Sequence, residues 1–205
     1  MKWKKILAIG AHPDDIEYGC FGLLAEQASS AEIYCYVCSL GSSGDPSTSE
    51  LRIIESQKAL SMLNPKKLFF KKNKGFTENN YEHLATDLHQ IIQKIKPDLI
   101  LTHSPHDTHQ EHRLVYNITM TASRRSRASI LLYGILSNTL DFQPRFFKDI
   151  SKKFALKKKA LKCHVSQSKK YYMSDKFLQI FHENQYVNLN QFSLSESYEV
   201  ERLFE

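Results

Sequence analysis

Residues 4–19 read KKILAIGAHPDDIEYG. The apolar run over 4–9 is short, and His12, Pro13, Asp14 and Asp15 cut it off. It reads as a buried strand that ends in a tight polar turn. Residues 16–29 then read as a helix, with Phe21, Leu24, Ala25 and Ala28 able to face a sheet. Gly19 and Gly22 lie on that helix. Each helix glycine costs about 1 kcal/mol relative to alanine. The pair therefore marks a place where helix backbone must approach a strand or a ligand closely.

The same alternation continues outward from this unit. Strands are predicted over 32–38, 67–70, 98–102 and 129–136, and helices over 50–63, 81–96 and 110–126. The helix over 81–96 has the clearest period, through Leu84, Leu88, Ile91, Ile92 and Ile95, and Pro97 stops it. Ser47 to Ser49 offer a cap for the helix over 50–63. In the last third, 145–150 reads as extended, 152–164 and 176–183 as helical, and 197–204 as a late strand. Alternating strands and helices predict an α/β fold: a three-layer, Rossmann-like, mostly parallel sheet with helices on both faces. With 205 residues and no linker or internal repeat, one domain over 1–205 is expected. In the usual 3-2-1-4-5 order, strands one and four are neighbours where the order reverses, and ligands bind beyond the strand ends there.

Two polar segments would converge at that reversal. The first is AHPDD after strand one. The second is THSPHDTHQEHR over 102–113, where His103, His106, His109 and His112 recur every third residue with Asp107 and Glu111 among them. A dinucleotide-binding turn would need GxGxxG at the first place. This chain has GAHPDD there, and its carboxylates would repel a pyrophosphate.

Composition bounds the rest. Hydrophobic residues are 41% and charged residues 24%, a soluble globular mixture. No apolar run reaches the roughly 18 residues of a spanning helix. The first apolar run is too short for a secretory signal, so the expected location is the cytoplasm. The net charge of +6 suits an anionic small-molecule substrate. Solvated helix surface explains it as well, and the clusters Arg124, Arg125, Arg127 and Lys157, Lys158, Lys159 are read that way. No nucleic-acid motif accompanies the charge. Cys35 and Cys38 form a lone CxxC inside a strand, where positions three apart face opposite sides. They read as buried reduced thiols, not as a redox or zinc motif.

The polar segments can build a metal site. A catalytic zinc takes three protein ligands and keeps one position open. His12 and Asp15 can reach one ion from their turn, and His112 is the third ligand chosen from the histidine cluster. Asp14 is then available as general base, and His109 to stabilise an oxyanion or protonate the leaving amine. Glu111 or Asp107 could hold His109 in its useful tautomer. His83, His89 and His182 lie outside these segments and are read as structural or exposed.

These residues carry a family resemblance. AHPDDIEYGCFG resembles the AHPDDxExGxGG signature of the LmbE-like, or PIG-L type, de-N-acetylases, and DTHQEH resembles their Asp-x-His-x-Asp-His motif. Arg52 and Glu55 match an R-x-x-E pattern, and Lys159, His164, Ser166 and Gln167 match a late K…H-x-S-Q pattern. The likeness spans nearly the whole chain. It implies an LmbE-like deacetylase fold and zinc-dependent removal of an N-acetyl group, typically from a glucosamine unit of a larger molecule. Fe2+ or another divalent transition metal suits the same ligand types. The implied roles are metal ligation for His12, Asp15 and His112, general base for Asp14, oxyanion stabiliser or acid for His109, and substrate contact for Arg52 and His164. Members of the family often form homo-oligomers.

There are departures. Glu111 stands where the family has Asp, and Cys20 and Phe21 fill positions often taken by smaller residues. His106 is no family requirement and reads as loop. The competing functions are a non-catalytic sugar-binding relative, an amidohydrolase acting on a non-sugar amide, and a metal-dependent phosphoesterase. The intact set of His12, Asp14, Asp15, His109 and His112 argues against lost catalysis. A two-metal phosphoesterase needs more bridging carboxylates. Substrate specificity is expected in the loops over 41–49 and 73–80 and in the last third of the chain.

Overall fold

The strand formed by the opening stretch, β1 (Lys5–Gly10), lies inside a seven-stranded sheet, and all of it but Lys5 is buried. The computed structural model describes residues 2–40, 46–71, 78–183 and 194–204. The other strands are β2 (Glu32–Val37), β3 (Lys67–Phe70), β4 (Leu99–Thr102), β5 (Ser129–Tyr133), β6 (Phe146–Asp149) and β7 (Ser195–Arg202). Their spatial order is β3-β2-β1-β4-β5-β7-β6. The first five are parallel to one another, as predicted, with β1 and β4 side by side. β7 runs antiparallel to both of its neighbours, β5 on one edge and β6 on the other.

Helices cover both faces. They are α1 (Asp15–Gly19), α2 (Phe21–Gln27), α3 (Pro46–Ser61), α4 (Glu78–Ile95), α5 (Gln110–Ser123), α6 (Phe154–Leu161) and α7 (Asp175–Glu183). The two-residue period of β1 divides the core. Ile6 and Ala8 pack with Phe21, Leu24, Leu60 and Ile150, whereas Leu7 and Ile9 pack with Leu88, Ile92 and Ile118. Cys35 belongs to the first layer and Cys38 to the second, and all four cysteines are buried thiols outside any disulfide. Among the described residues no helix is long and apolar enough to cross a membrane.

Three differences from expectation have physical causes. The helix predicted over 16–29 is two helices, broken at Cys20, where φ is −143°. A buried ion pair fills the break. Lys157 Nζ donates to the Tyr18 carbonyl, and Glu196 accepts from the amides of Gly22 and Leu23, so one pair satisfies the end of α1 and the start of α2. Lys157 is therefore fully buried and is not part of a solvated basic run. Next, α3 begins at Pro46, with Ser47 to Ser49 inside it instead of capping it. Proline is favoured in a first helical turn. Gly19 and Gly22 do mark close approaches. A Cβ on Gly19 would meet the Tyr133 ring at 2.3 Å, and one on Gly22 would meet Ile150 at 2.4 Å.

Candidate metal centre and catalytic cleft

The turn after β1 is held by its own polar groups. The His12 amide donates to Asp15 Oδ2 at 2.7 Å, and the Asp15 amide donates to the His12 carbonyl at 3.3 Å. Asp14 sits between them with φ at 118°, in the left-handed region. A non-glycine residue held there costs roughly 1–3 kcal/mol and is found where a site fixes it. Arg52, from α3, donates to the Pro13 carbonyl at 2.9 Å and reaches Asp14 Oδ1 at 3.3 Å. Arg52, expected to contact substrate, thus holds the turn and Asp14 while also lining the cleft.

The segment after β4 meets this turn. His103 directly follows the strand and is fully buried; the Ala11 amide donates to its Nε2, which also lies 3.1 Å from Asp15 Oδ2. His103 stacks on His112 with centroids 4.0 Å apart, and His112 stacks on His109 at 4.4 Å. His112 Nε2 lies 3.5 Å from Asp15 Oδ1, and His12 Nδ1 lies 3.5 Å from Asp15 Oδ2. Two tight groups of candidate ligand atoms result: His12, His109 and His112, and Asp15, His103 and His112. The predicted ligand set of His12, Asp15 and His112 spans both.

The supporting carboxylates act on other partners than predicted. Asp107 Oδ2 lies 2.9 Å from His112 Nδ1 and accepts from the Ser137 hydroxyl at 3.0 Å. It therefore directs His112 Nε2 towards Asp15. Its bond to His109 is through that residue's backbone amide, at 2.7 Å. Glu111 pairs with Nε2 of His12. His109 itself is the N-cap of α5, and its Nδ1 accepts from the Glu111 amide at 3.2 Å. An N-cap side chain takes an orphan amide of the first turn, so the backbone and not a carboxylate fixes its tautomer. Neutral His109 then carries its proton on Nε2.

Burial and neighbouring charge set the protonation states. For His12, burial opposes the charged form, but bonds to Asp15 and Glu111 outweigh it and raise the pKa to about 10. Burial would raise Asp15, yet His112 and His103 hold it well below the usual carboxylate range. Burial raises Asp14, with Arg52 opposing and Asp15 assisting. Burial and the nearby His112 and His12 lower His109, so it is neutral at pH 7. Burial pushes His103 down to about 4.

Behind the turn lies a second polar layer. Glu17 accepts from the Ser56 hydroxyl at 2.7 Å and lies 3.1 Å from His164 Nε2. His164, expected to bind substrate, is only 1% exposed and sits behind the site. Glu55 accepts from the amide and hydroxyl of Ser166 at 2.8 and 2.6 Å, which ties α3 to the 3₁₀ turn Val165–Gln167. Lys159 is exposed; the buried lysine of its run is Lys157. His106 contributes backbone contacts to the loop and an exposed ring, and His182 is fully buried.

A cleft of about 660 Å³ opens over these groups. His12, Asp14, Asp15, His109 and His112 line its polar part, whereas Tyr18, Tyr171 and Tyr172 line another wall. His103, Glu17, Ser137 and the tyrosines received no role from the sequence. His103 had a usable signal, its place immediately after a predicted buried strand. The loops over 41–49 and 73–80, expected to set specificity, lie largely outside the described residues.

Residues 7–123, more than half of the chain, match the family model described as PIG-L: GlcNAc-PI de-N-acetylase, and the chain belongs to that family. It is similar to the uncharacterized deacetylase YaiS of Escherichia coli (strain K12), at 35% identity over 175 residues covering 80% of this chain and 92% of that protein. Among solved structures, the N,N'-diacetylchitobiose deacetylase from Pyrococcus horikoshii aligns with a TM-score of 0.82 at 21% identity, covering 98% of this chain and 84% of that one. GalB, the 4-carboxy-2-hydroxymuconate hydratase from Pseudomonas putida KT2440, aligns with a TM-score of 0.78 at 15% identity over 98% of both chains. These two likenesses concern the fold alone, and the fold carries more than one reaction.

Proposed function

We propose that this chain is a divalent-metal-dependent N-deacetylase that removes the acetyl group from an N-acetylglucosamine-type sugar within a larger small molecule. The family's description and the site chemistry support this reading together. The observation that carries it is Asp14: a carboxylate in a left-handed backbone conformation, lining the cleft beside three histidines and Asp15, with its pKa raised by burial. A general base for neutral pH needs such a shift.

The donor set fits a cation. The carboxylates of Asp15 and Glu111 flank His12 and raise its pKa, so the point where the ligand atoms converge favours positive charge, and a bound ion would take the place of the His12 proton. His12, Asp15 and His112 would hold the metal, with Zn2+ or Fe2+ suited to these ligands. When bound, the ion supplies Lewis acidity to the attacking water and the acetamide carbonyl.

The chain's own residues do the remaining work. Asp14 takes a proton from the water as its oxygen adds to the acetamide carbon. The Nε2–H of neutral His109 meets the oxyanion that develops. Asp14 then returns the proton to the departing nitrogen as the C–N bond breaks, which gives acetate and a free amine. Arg52 keeps Asp14 in position, and Asp107 keeps His112 in its tautomer. Four buried cysteines outside any disulfide suit a reducing compartment, and the cytoplasm is the assumed location.

The test is acetate release from N-acetylglucosaminides by metal-loaded protein before and after Asp14→Asn. A loss of about 10²–10⁴-fold in kcat is expected, with metal content unchanged. Full activity in the variant would rule out this assignment of the base.

A further inference from the structure

The sheet end opposite the cleft carries charge that the deacetylation chemistry does not use. The cleft lies beyond the far ends of the parallel strands, where His12 follows β1 and His103 follows β4. Register aligns the near ends along one edge. Lys67 lies beside Tyr34, Glu32 beside Lys5, and Ser129 beside Leu99, which follows Ile6 in the same row. At about 4.8 Å per strand, the edge from β3 to β5 is roughly 19 Å long. Exposed cations stand all along it. Lys66 and Lys67 are at the start of β3, and Lys2 and Lys4 lead into β1. Lys94 and Lys96 stand at the end of α4, and Arg124, Arg125 and Arg127 in the turn from α5 to β5.

The fold presents this charge outward and leaves it unmatched. Arg202, half-buried at the end of β7, donates to the Ser123 and Ala128 carbonyls at 3.3 and 3.1 Å and to the Ser126 hydroxyl at 3.2 Å. One arginine thus holds the turn that displays three others. The carboxylates of this edge are engaged. Asp98 accepts from the Lys4 and Lys5 amides at 2.8 and 3.0 Å, and Glu32 from the Tyr34 hydroxyl at 2.9 Å. Among the described residues, the ion pairs of lysine and arginine lie elsewhere, at Arg52, Lys71, Lys157, Lys158 and Lys162. Helix C-termini attract cations, which accounts for Lys94 and Arg124 but not for lysines at strand starts. Apolar surface joins the row. Leu203 and Phe204 are 43% and 48% exposed, and the Phe204 amide donates to Ser129 Oγ at 3.0 Å. The Arg202 guanidinium lies over the Phe204 ring, 5.4 Å from its centroid, so this ring is a poor platform for stacking bases. A basic row with adjacent apolar side chains suits a flat anionic interface better.

We propose that this edge docks reversibly on an anionic lipid surface. The basic row meets the headgroups, Leu203 and Phe204 enter the interface, and the cleft, at the other ends of the same strands, faces away from the lipid. The inference does not depend on the deacetylase reading, since none of the cations on this edge lines the cleft.

The experiment is cosedimentation of the full chain with vesicles, phosphatidylcholine alone against phosphatidylcholine with about one-third phosphatidylglycerol. Binding is expected only to the anionic vesicles, and it should fall at least about tenfold between about 0.1 and about 0.5 M salt. A basic side chain near such a surface is worth roughly fivefold in partition. Arg124→Gln, Arg125→Gln and Arg127→Gln together should therefore cost about 20- to 100-fold, and Lys66→Gln with Lys67→Gln about 5- to 25-fold. Leu203→Ser with Phe204→Ser should cost about threefold or more. The same charge change at Lys152, Lys169 and Lys176, which are exposed away from this edge, should cost less than about threefold. Every variant alters exposed side chains only, and circular dichroism should match the wild type. Equal binding to the two vesicle types, unchanged binding in any edge variant, or an equal loss in the control triple overturns the proposal. So does tighter binding of a mixed-sequence RNA than of the vesicles, read by fluorescence anisotropy at the same salt and lost in the arginine variant, which would make the edge a nucleic-acid surface.

Discussion

The ion pair at the break between α1 and α2 allows a quantitative test of what holds these two helices in place. Glu196 is 2% exposed and accepts four bonds: from the Gly22 and Leu23 amides at 2.7 and 2.8 Å, from Lys157 Nζ at 2.6 Å, and from the Tyr198 hydroxyl at 2.8 Å. Glu196→Gln would turn one acceptor into a donor that faces donors, and would leave the Lys157 ammonium buried without a counter-charge. Breaking a buried pair in this way costs about 3–5 kcal/mol. Lys157→Met is milder, because the Glu196 carboxylate keeps three donors, two of them at a helix start where negative charge is favoured. A cost of about 1–3 kcal/mol is expected. The double variant removes both charges and should be more stable than the sum of the single losses predicts, by at least about 1.5 kcal/mol. Urea unfolding followed by circular dichroism gives all four values. Equal losses in the two single variants together with strict additivity would refute the idea that the pair acts as one unit.

Three further outcomes can be measured. Asp107→Asn removes the charge that orients His112, and zinc affinity measured by chelator competition should fall roughly 10–100-fold. Gly19→Ala gains about 1 kcal/mol of helix propensity but drives a Cβ into the Tyr133 ring, whose hydroxyl bonds the Ile9 carbonyl; a net loss of about 1–3 kcal/mol is expected in thermal or urea unfolding. His182 has its pKa pushed down to about 2, by burial first and the Lys157 charge second. The unfolded chain binds this proton below about pH 6.5 and the folded chain does not, so stability is lost as pH falls from 6.5 towards 2. About 2 kcal/mol of the change between pH 8 and pH 5 should disappear in His182→Asn, read as the difference between two urea series.

Much of the fold was legible because its signals are local. Period-two burial in β1 and the helical period of α4 are properties of neighbouring residues, and the order of the parallel strands follows from the handedness of their connections. The two polar segments could be brought together from topology alone. What could not be read depends on partners distant in sequence. Lys157 looks like the first of three surface lysines until residue 196 is placed beside it. Glu111 looks like a partner for its neighbour His109, yet it reaches across to His12, while the backbone serves His109. His164 matches a motif position, but only packing against Glu17 removes it from the cleft wall. The aromatic wall carries no motif, since three tyrosines scattered over two segments become a surface only after folding.

The strand at 195–202 lies between two others, and one of its residues grips amides 174 and 173 positions earlier in the chain. On the ribosome, the parallel half of the sheet emerges long before that grip can form. The helix bearing Asp15 is therefore anchored only after residues 195–202 have emerged. A nascent chain halted before residue 195 would present both motifs without the clamp. Hydrolytic competence should thus switch on once residues 195–202 have emerged and not grow in proportion to length.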